Sequence, residues 1–369
     1  TWLISGDHSG SVGSVSFDSF ERLVGAPDNE DTFVLATGGV FVGVLEGGDG
    51  GFDVLEVARD SESFTHEATA FDSGIVTVDE MTFRYVGLEP VANSGSTADA
   101  QFILGSDDDD VVLRLESGSP YLDVTSDTAE DTSLASVTNS ITLDVGTGTN
   151  SVVVGDLGSF TGDITVIGSI DSLTINGSDG NDTITISDIG DITVPGGVVH
   201  MQVDRGAVGL VLFSNPITEL LVQGLDGDDD ITVASLDAGF AATLDVEGAD
   251  VESWLPSDEL VLAIDEDTDT VAITGDIATH GGDLWVNATT ITVADDVVIT
   301  TADDPSAPAT WGDIQFWARE YAVADVNNLS PFQYDVKAAS ITMGERSEIR
   351  GGEVFFLAYA TDITLSELI

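Results

Sequence analysis

The chain contains no cysteine and a single lysine, Lys337. Without cysteine, disulfides and thiolate metal sites are excluded. Lysine and arginine together number 9 against 67 acidic residues, a formal net charge of −58. So few cations exclude a surface built to hold the phosphates of nucleic acid or the head groups of an acidic membrane. Continuous apolar runs of about eighteen residues are missing, so no membrane insertion is expected. Helical periodicity is almost absent too, as are GxSxG, HExxH and Walker-type loops.

What remains is an acidic chain that can still bury a core. It has 369 residues, 42% of them hydrophobic, with a mean hydropathy of +0.18, so it is no disordered acidic tail. A compact state with this charge repels itself unless cations bind or salt screens it. Two origins of the charge fit: carboxylates that ligate cations, and a solvating surface suited to high salt. Short runs rich in Val, Ile and Thr recur, among them Ile141–Val145, Ser151–Val154, Asp163–Ile167, Ser172–Ile175, Thr183–Ile186 and Asp191–Val194, punctuated by Gly, Asp, Ser or Asn. Such strands with turn residues between them predict an all-β protein.

One phrase keeps returning. GSDGNDTIT starts at Gly177 and GLDGDDDIT at Gly224, with looser copies at Gly105 (GSDDDDVVL) and Gly48 (GDGGFDVLE). VGTGTNSVV from Val145 is the same phrase with Asn150 in the acidic place. Each is a glycine-rich turn, an acid, and then an apolar strand. The spacing of the copies is irregular but suits passes of roughly 20–25 residues with some passes lacking the phrase. Clusters of short strands between long glycine-rich segments favour a parallel β-solenoid over a hairpin-built sandwich or propeller.

Three segments are expected. Residues 1–130 carry the first acidic turns and a mixed stretch over Ala58–Ala100; residues 131–255 are the most regular; residues 256–369 lose the glycine–acid turns but keep a solenoid-like rhythm. Within the last, 302–334 reads as an aromatic-rich excursion from the coil, not a coil itself.

The repeated turns point to calcium. Calcium takes six to eight oxygens and tolerates irregular geometry. A turn with glycine carbonyls and a carboxylate supplies half such a shell, and the neighbouring pass would supply the rest. Asp182 and Asp229 are the leading ligands, with Asp179, Asp226 and Asp228 as helpers; Asp110 and Asp53 follow, then Asp31, and Asn150 offers a neutral oxygen. The plain alternative is ordinary Gly/Asp turns in an acidic protein.

GSDGNDTIT and GLDGDDDIT resemble haemolysin-type (RTX) calcium-binding repeats, whose pattern is Gly-Gly-x-Gly-x-Asp-x-apolar-x. The resemblance falls on Gly180 and Asp182 and on Gly227 and Asp229, and implies calcium held between neighbouring turns; unlike the family, the nonapeptides here are not in tandem. The opening is similar to repeats of giant bacterial surface proteins, through Trp2, Val15, Phe17, Phe20, Glu21, Leu23, Asp31, Thr32 and Phe33. TTITVADDVVITT and ASITMGERSEIRGGEVFF resemble filamentous-haemagglutinin-like right-handed β-helices. Together these likenesses imply a right-handed parallel β-helix with calcium-binding turns, working as an extracellular or cell-surface fibre, stalk or adhesin segment.

Right-handed β-helices also include polysaccharide lyases and epimerases, so a polysaccharide-active enzyme is the alternative function. It would need basic groups beside the carboxylates, and the nine here are scattered. His8, His66, His200 and His280 stand isolated and read as surface or turn histidines, so no catalytic residue is assigned. Trp311, Phe316, Trp317, Tyr321, Phe332 and Tyr334 suit a glycan-binding platform, a subunit contact or the seal of their own loop. Strand-like sequence at Thr1–Ser5 and Asp362–Leu365 leads to the expectation of continuation into a longer chain or head-to-tail self-association into a filament.

Overall fold

A computed structural model of the chain describes residues 1–116, 121–248, 268–302, 311–318, 339–358 and 360–365. The protein is all-β. Among the described residues the helical element is the single 3-10 turn Gly206–Val208, and no helix is long and apolar enough to cross a membrane. Two units are distinguished. The first comprises Thr1–Ile170, Thr193–Val199 and Ala207–Ser214; the second comprises Asp171–Ile192, His200–Gly206 and Asn215–Ile369. The division falls inside the segment expected at 131–255.

The second unit is built from parallel ladders in register. In one, Leu173, Leu220, Leu244, Leu284, Ile314 and Val354 are successive partners. In another, Ile184, Ile231, Val271, Ile291, Ile341 and Ile363 follow one another. A third, shorter ladder aligns Ile277, Ile299 and Ile349. The cause is visible in strands such as DITV, TVAI and TITV, which alternate a polar or small residue facing outward with an aliphatic one facing inward. As far as Ile314 and Ile341, each inward side chain lies over its counterpart one pass away, and Val354 at the end of its ladder is exposed. Leu220, Val222, Ile184, Ile186, Val271 and Ile273 are fully buried. Burying each such side chain contributes about 1.5–3 kcal/mol.

The first unit uses the same parallel pairing. Ile4, Leu35 and Val57 align, as do Leu23, Leu45 and Tyr85. Antiparallel excursions interrupt it. Trp2–Gly6, Ser9–Val12 and Val15–Asp18 form one meander. Ser61–Ala70, Ser73–Val78 and Met81–Val86 form another, and this is what fills the mixed stretch Ala58–Ala100. Leu122–Thr125 pairs antiparallel with both Asp110–Leu115 and Thr132–Asp144. The solenoid expected for this half, with its mixed stretch over Ala58–Ala100, is a parallel ladder that also carries antiparallel meanders. Their alternating pattern hides them, because a strand with one buried face reads the same in either direction.

Within 302–334 the described residues are 302 and 311–318. Ile314–Ala318 is a strand of the main ladder, paired on both sides. Phe316 is fully buried and meets Phe356 edge-on at 5.4 Å. Trp317 lies tilted against Phe355 at 5.7 Å. Alternation along IQFWA explains the split: Phe316 shares the inward face with Ile314 and Ala318. Tyr321, Phe332 and Tyr334 lie outside the described residues.

Candidate functional site in the stacked acidic turns

The strand register aligns the motif acids pass upon pass, and the outcome is a ladder of carboxylates and backbone amides. The Asp31 amide donates to Asp53 Oδ1 at 2.6 Å. The Asp109 amide donates to Asn150 Oδ1 at 3.0 Å. The Asp182 amide donates to Asp229 Oδ1 at 2.7 Å, and the Asp229 amide to Asp269 Oδ1 at 3.1 Å. Asp31, Asp53, Asp109, Asn150, Asp229 and Asp269 are all buried. Hydrogen bonds to charged acceptors are stronger than neutral ones, and each rung satisfies an amide at the point where a strand begins.

The carboxylate also folds back on its own turn. Asp31 Oδ2 accepts the Ala26 amide at 2.9 Å, and Asp182 Oδ2 accepts the Ser178 amide at 2.6 Å and the Ser178 hydroxyl at 3.0 Å. This explains the leading glycine of the phrase. A Cβ on Gly25, Gly47 or Gly177 would meet first the carbonyl of Gly47, Gly87 or Gly224 and then, at 2.5, 2.5 or 2.6 Å, Oδ2 of Asp31, Asp53 or Asp182. A Cβ on Gly224 would overlap Asp229 Oδ2. Gly227 serves differently: at φ 124° it packs its backbone on Gly180 and Asn181 of the preceding turn. Gly180 faces open space, where the nearest atom to an added Cβ is Ser178 Oγ at 3.9 Å.

The expected metal ligands are thus distributed over two settings. Asp31 with Asp53, and Asp182 with Asp229, are brought together along the ladder as amide acceptors. Asp179, Asp226 and Asp228 are exposed on the turns. The Asp228 amide donates to Asn181 Oδ1 at 3.3 Å, and Asp228 Oδ1 accepts the Thr268 amide at 2.6 Å. Among the described residues, no three of these acids place ligand atoms within 4.8 Å of one another. The ladder acids thus accept backbone amides from a neighbouring pass or from their own turn.

At the turn beginning with Gly105 the acid that faces inward lies one residue before Asp110. Asp110, the expected ligand, is exposed and its amide donates to Asp127 Oδ1 at 2.9 Å. The inward acid is Asp109, because period-two alternation places it on the face of Val111 and Leu113. Asp109 Oδ1 accepts the hydroxyls of Ser126, at 3.0 Å, and Thr128. Its Oδ2 is buried and has no hydrogen-bond partner among the described residues. A buried carboxylate oxygen without a donor is costly unless a cation meets it; no three-donor group of ligand atoms includes Asp109 among the described residues.

A second set of rungs escaped the sequence reading. The Asp313 amide donates to Asp283 Oδ1 at 2.7 Å, and the Glu353 amide to Asp313 Oδ1 at 2.9 Å. Here the later pass donates to the earlier carboxylate, the reverse of the motif ladder. The signal was present in GGDL, WGDI and GGEV, each a glycine-containing turn with an acid directly before the strand.

His66 corrects the expectation of surface or turn histidines. It is 3% exposed, with Nε2 2.6 Å from Tyr85 Oη and Nδ1 2.9 Å from Thr132 Oγ1. Burial pushes its pKa down to about 4, so it is neutral at pH 7. Nearby, burial, reinforced by Glu89, Asp131 and Asp72, pushes the Glu130 carboxyl up to about 8. Burial likewise raises Asp245 to about 7, helped by Glu247 and Glu219. His8 and His280 occupy positive-φ positions, in keeping with turns.

Comparison with known protein families, curated proteins and solved structures gives no match. The functional reading accordingly rests on the site itself.

Proposed function

We propose that the chain is a structural segment of an extracellular or cell-surface protein: a right-handed parallel β-solenoid, stiffened by calcium, that acts as a fibre, stalk or adhesin. The observation that carries this reading is Asp109, a buried carboxylate with one oxygen left without a hydrogen bond, in a chain of net charge −58. The in-register ladders support the solenoid, because a chain that returns to the same place at each pass aligns like residues in parallel. In this reading calcium is held at Asp109 and along the outward acids Asp179, Asp226 and Asp228. Asp31, Asp53, Asp182 and Asp229 shape the turns. Calcium that binds the folded state alone adds to its stability.

The test is thermal unfolding at low ionic strength, with calcium and with a chelator. The wild type is expected to lose several degrees on chelation. Asp109→Asn keeps the acceptor for Ser126 and Thr128 and is expected to blunt that response, whereas Asp110→Asn leaves it intact. Equal midpoints with and without calcium would overturn the calcium part of the reading.

A further inference from the structure

Three ligand-type side chains, two of them nine residues apart and the third from a later pass, converge in the second unit, outside the acidic ladder. Asp191 comes from the strand Thr183–Val194, His200 from Gly197–Asp204, and Asp237 from the turn after Asp230–Val233. One donor atom from each lies within 4.8 Å of the other two. Among the described residues this is the one such group of histidine and acidic side chains.

The geometry goes beyond a surface ion pair. His200 Nδ1 stands 2.9 Å from Asp191 Oδ1. Two ligands at about 2.0–2.2 Å from a common tetrahedral ion lie about 3.4 Å apart, so this hydrogen-bonded pair opens by about half an ångström to take one. Asp237 is held from several sides. Its Oδ1 accepts the Asn215 side-chain amide at 2.5 Å and the Gly239 backbone amide at 2.9 Å. Its own amide points at Met201 Sδ at 3.0 Å, and Met201 is fully buried. A carboxylate has about four lone-pair positions, so these two donors leave it able to ligate. Partners that fix a ligating carboxylate in this way are a regular feature of metal sites. A His–Asp pair at an exposed place is worth about 0–1 kcal/mol and needs no third, separately braced carboxylate aimed at the same point.

The donor chemistry selects the ion. One imidazole nitrogen with two carboxylate oxygens suits a borderline divalent metal better than calcium, which prefers oxygen alone. We propose that Asp191, His200 and Asp237 form a binding site for a divalent first-row transition metal of the zinc type, separate from the calcium reading of the acidic turns. Three protein donors leave the remaining coordination positions to water. The site lies on the outer side of the strands, since Asp191 is exposed and His200 and Asp237 are half-buried, so an ion reaches it from solvent.

The experiment is zinc titration calorimetry on the whole chain in excess calcium, which occupies the general acidic surface. The wild type is expected to take up one tight equivalent of zinc. His200→Ala and Asp237→Asn are expected to weaken it about tenfold or more, with calcium-dependent melting unchanged. Pulsed electron paramagnetic resonance of the wild type loaded with one equivalent of copper(II) gives a readout that does not depend on any variant folding. Coupling to an imidazole nitrogen is expected. Zinc affinity unchanged in His200→Ala, or copper without an imidazole nitrogen, would overturn the assignment.

Discussion

Replacing Asp229 separates two roles that a motif carboxylate can have, acceptor and charge. In Asp229→Ala the Asp182 amide loses the acceptor it holds at 2.7 Å. An amide left without a partner in a buried setting costs about 1–3 kcal/mol. The carboxylate also fills the space above Gly224, and emptying it adds a smaller packing loss, for a total of about 2–3 kcal/mol. Asp229→Asn keeps Oδ1 and the shape. Asn150 already occupies such a rung, with Oδ1 accepting the Asp109 amide and Nδ2 donating to the carbonyls of Val145 at 2.9 Å and Ser169 at 2.8 Å. The asparagine variant is therefore expected within about 1 kcal/mol of wild type, or above it, because a buried charge is removed. Urea unfolding followed by circular dichroism, at fixed calcium, reads both variants against wild type. If asparagine proves as damaging as alanine, the rung depends on the negative charge and the amide-acceptor account is refuted.

Gly224→Ala places a methyl group against Asp229 Oδ2 and the Gly248 carbonyl and is expected to cost about 1–3 kcal/mol; Gly180→Ala, in open space, is expected to be close to neutral, and equal losses in urea would contradict the close-packing role of the leading glycine. Stability is also expected to fall as pH rises between the ordinary glutamate range and about 8, because folded Glu130 holds its proton to about 8 while the unfolded chain has already released it. Glu130→Gln removes that slope, so its unfolding midpoint exceeds wild type at pH 8 and converges with it near pH 4. A wild-type-like pH profile in the variant would show that Glu130 does not carry the effect.

Strand content and inward faces were legible in the sequence. Asp163–Ile167 was read with the bounds the structure has, because alternation of Ile and Val with polar residues leaves one face to bury. The motif turns were legible as turns, and the amide contacts of their carboxylates were not. Glycine–aspartate spacing is shared by a calcium loop and by a carboxylate that caps its own turn, and only the position of Oδ2 separates the two. The run Asp107–Asp110 offered four identical candidates, so the inward one was decided by register with Asn150. The site at Asp191, His200 and Asp237 had no local signal, since its members meet only when separate strands are placed side by side. The buried His66 was hidden for the same reason: Tyr85 and Thr132, which satisfy it, belong to other strands.

The rungs also determine where the chain tolerates extra length. Successive rung residues are 22 positions apart at Asp31 and Asp53, 41 at Asp109 and Asn150, 47 at Asp182 and Asp229, and 40 at Asp229 and Asp269. The contacts from an acid back to its own turn span only 4 or 5 positions. In a strand, a slip of one residue would turn every inward side chain outward. Here the phase is set anew each time a carboxylate meets its turn and the amide of the preceding pass. Errors of alignment therefore do not accumulate, and Leu122–Thr125, antiparallel to both its neighbours, fits between the rung residues Asp109 and Asn150. Insertions are absorbed between rungs, and the few residues from glycine to acid are the interval that must keep its length.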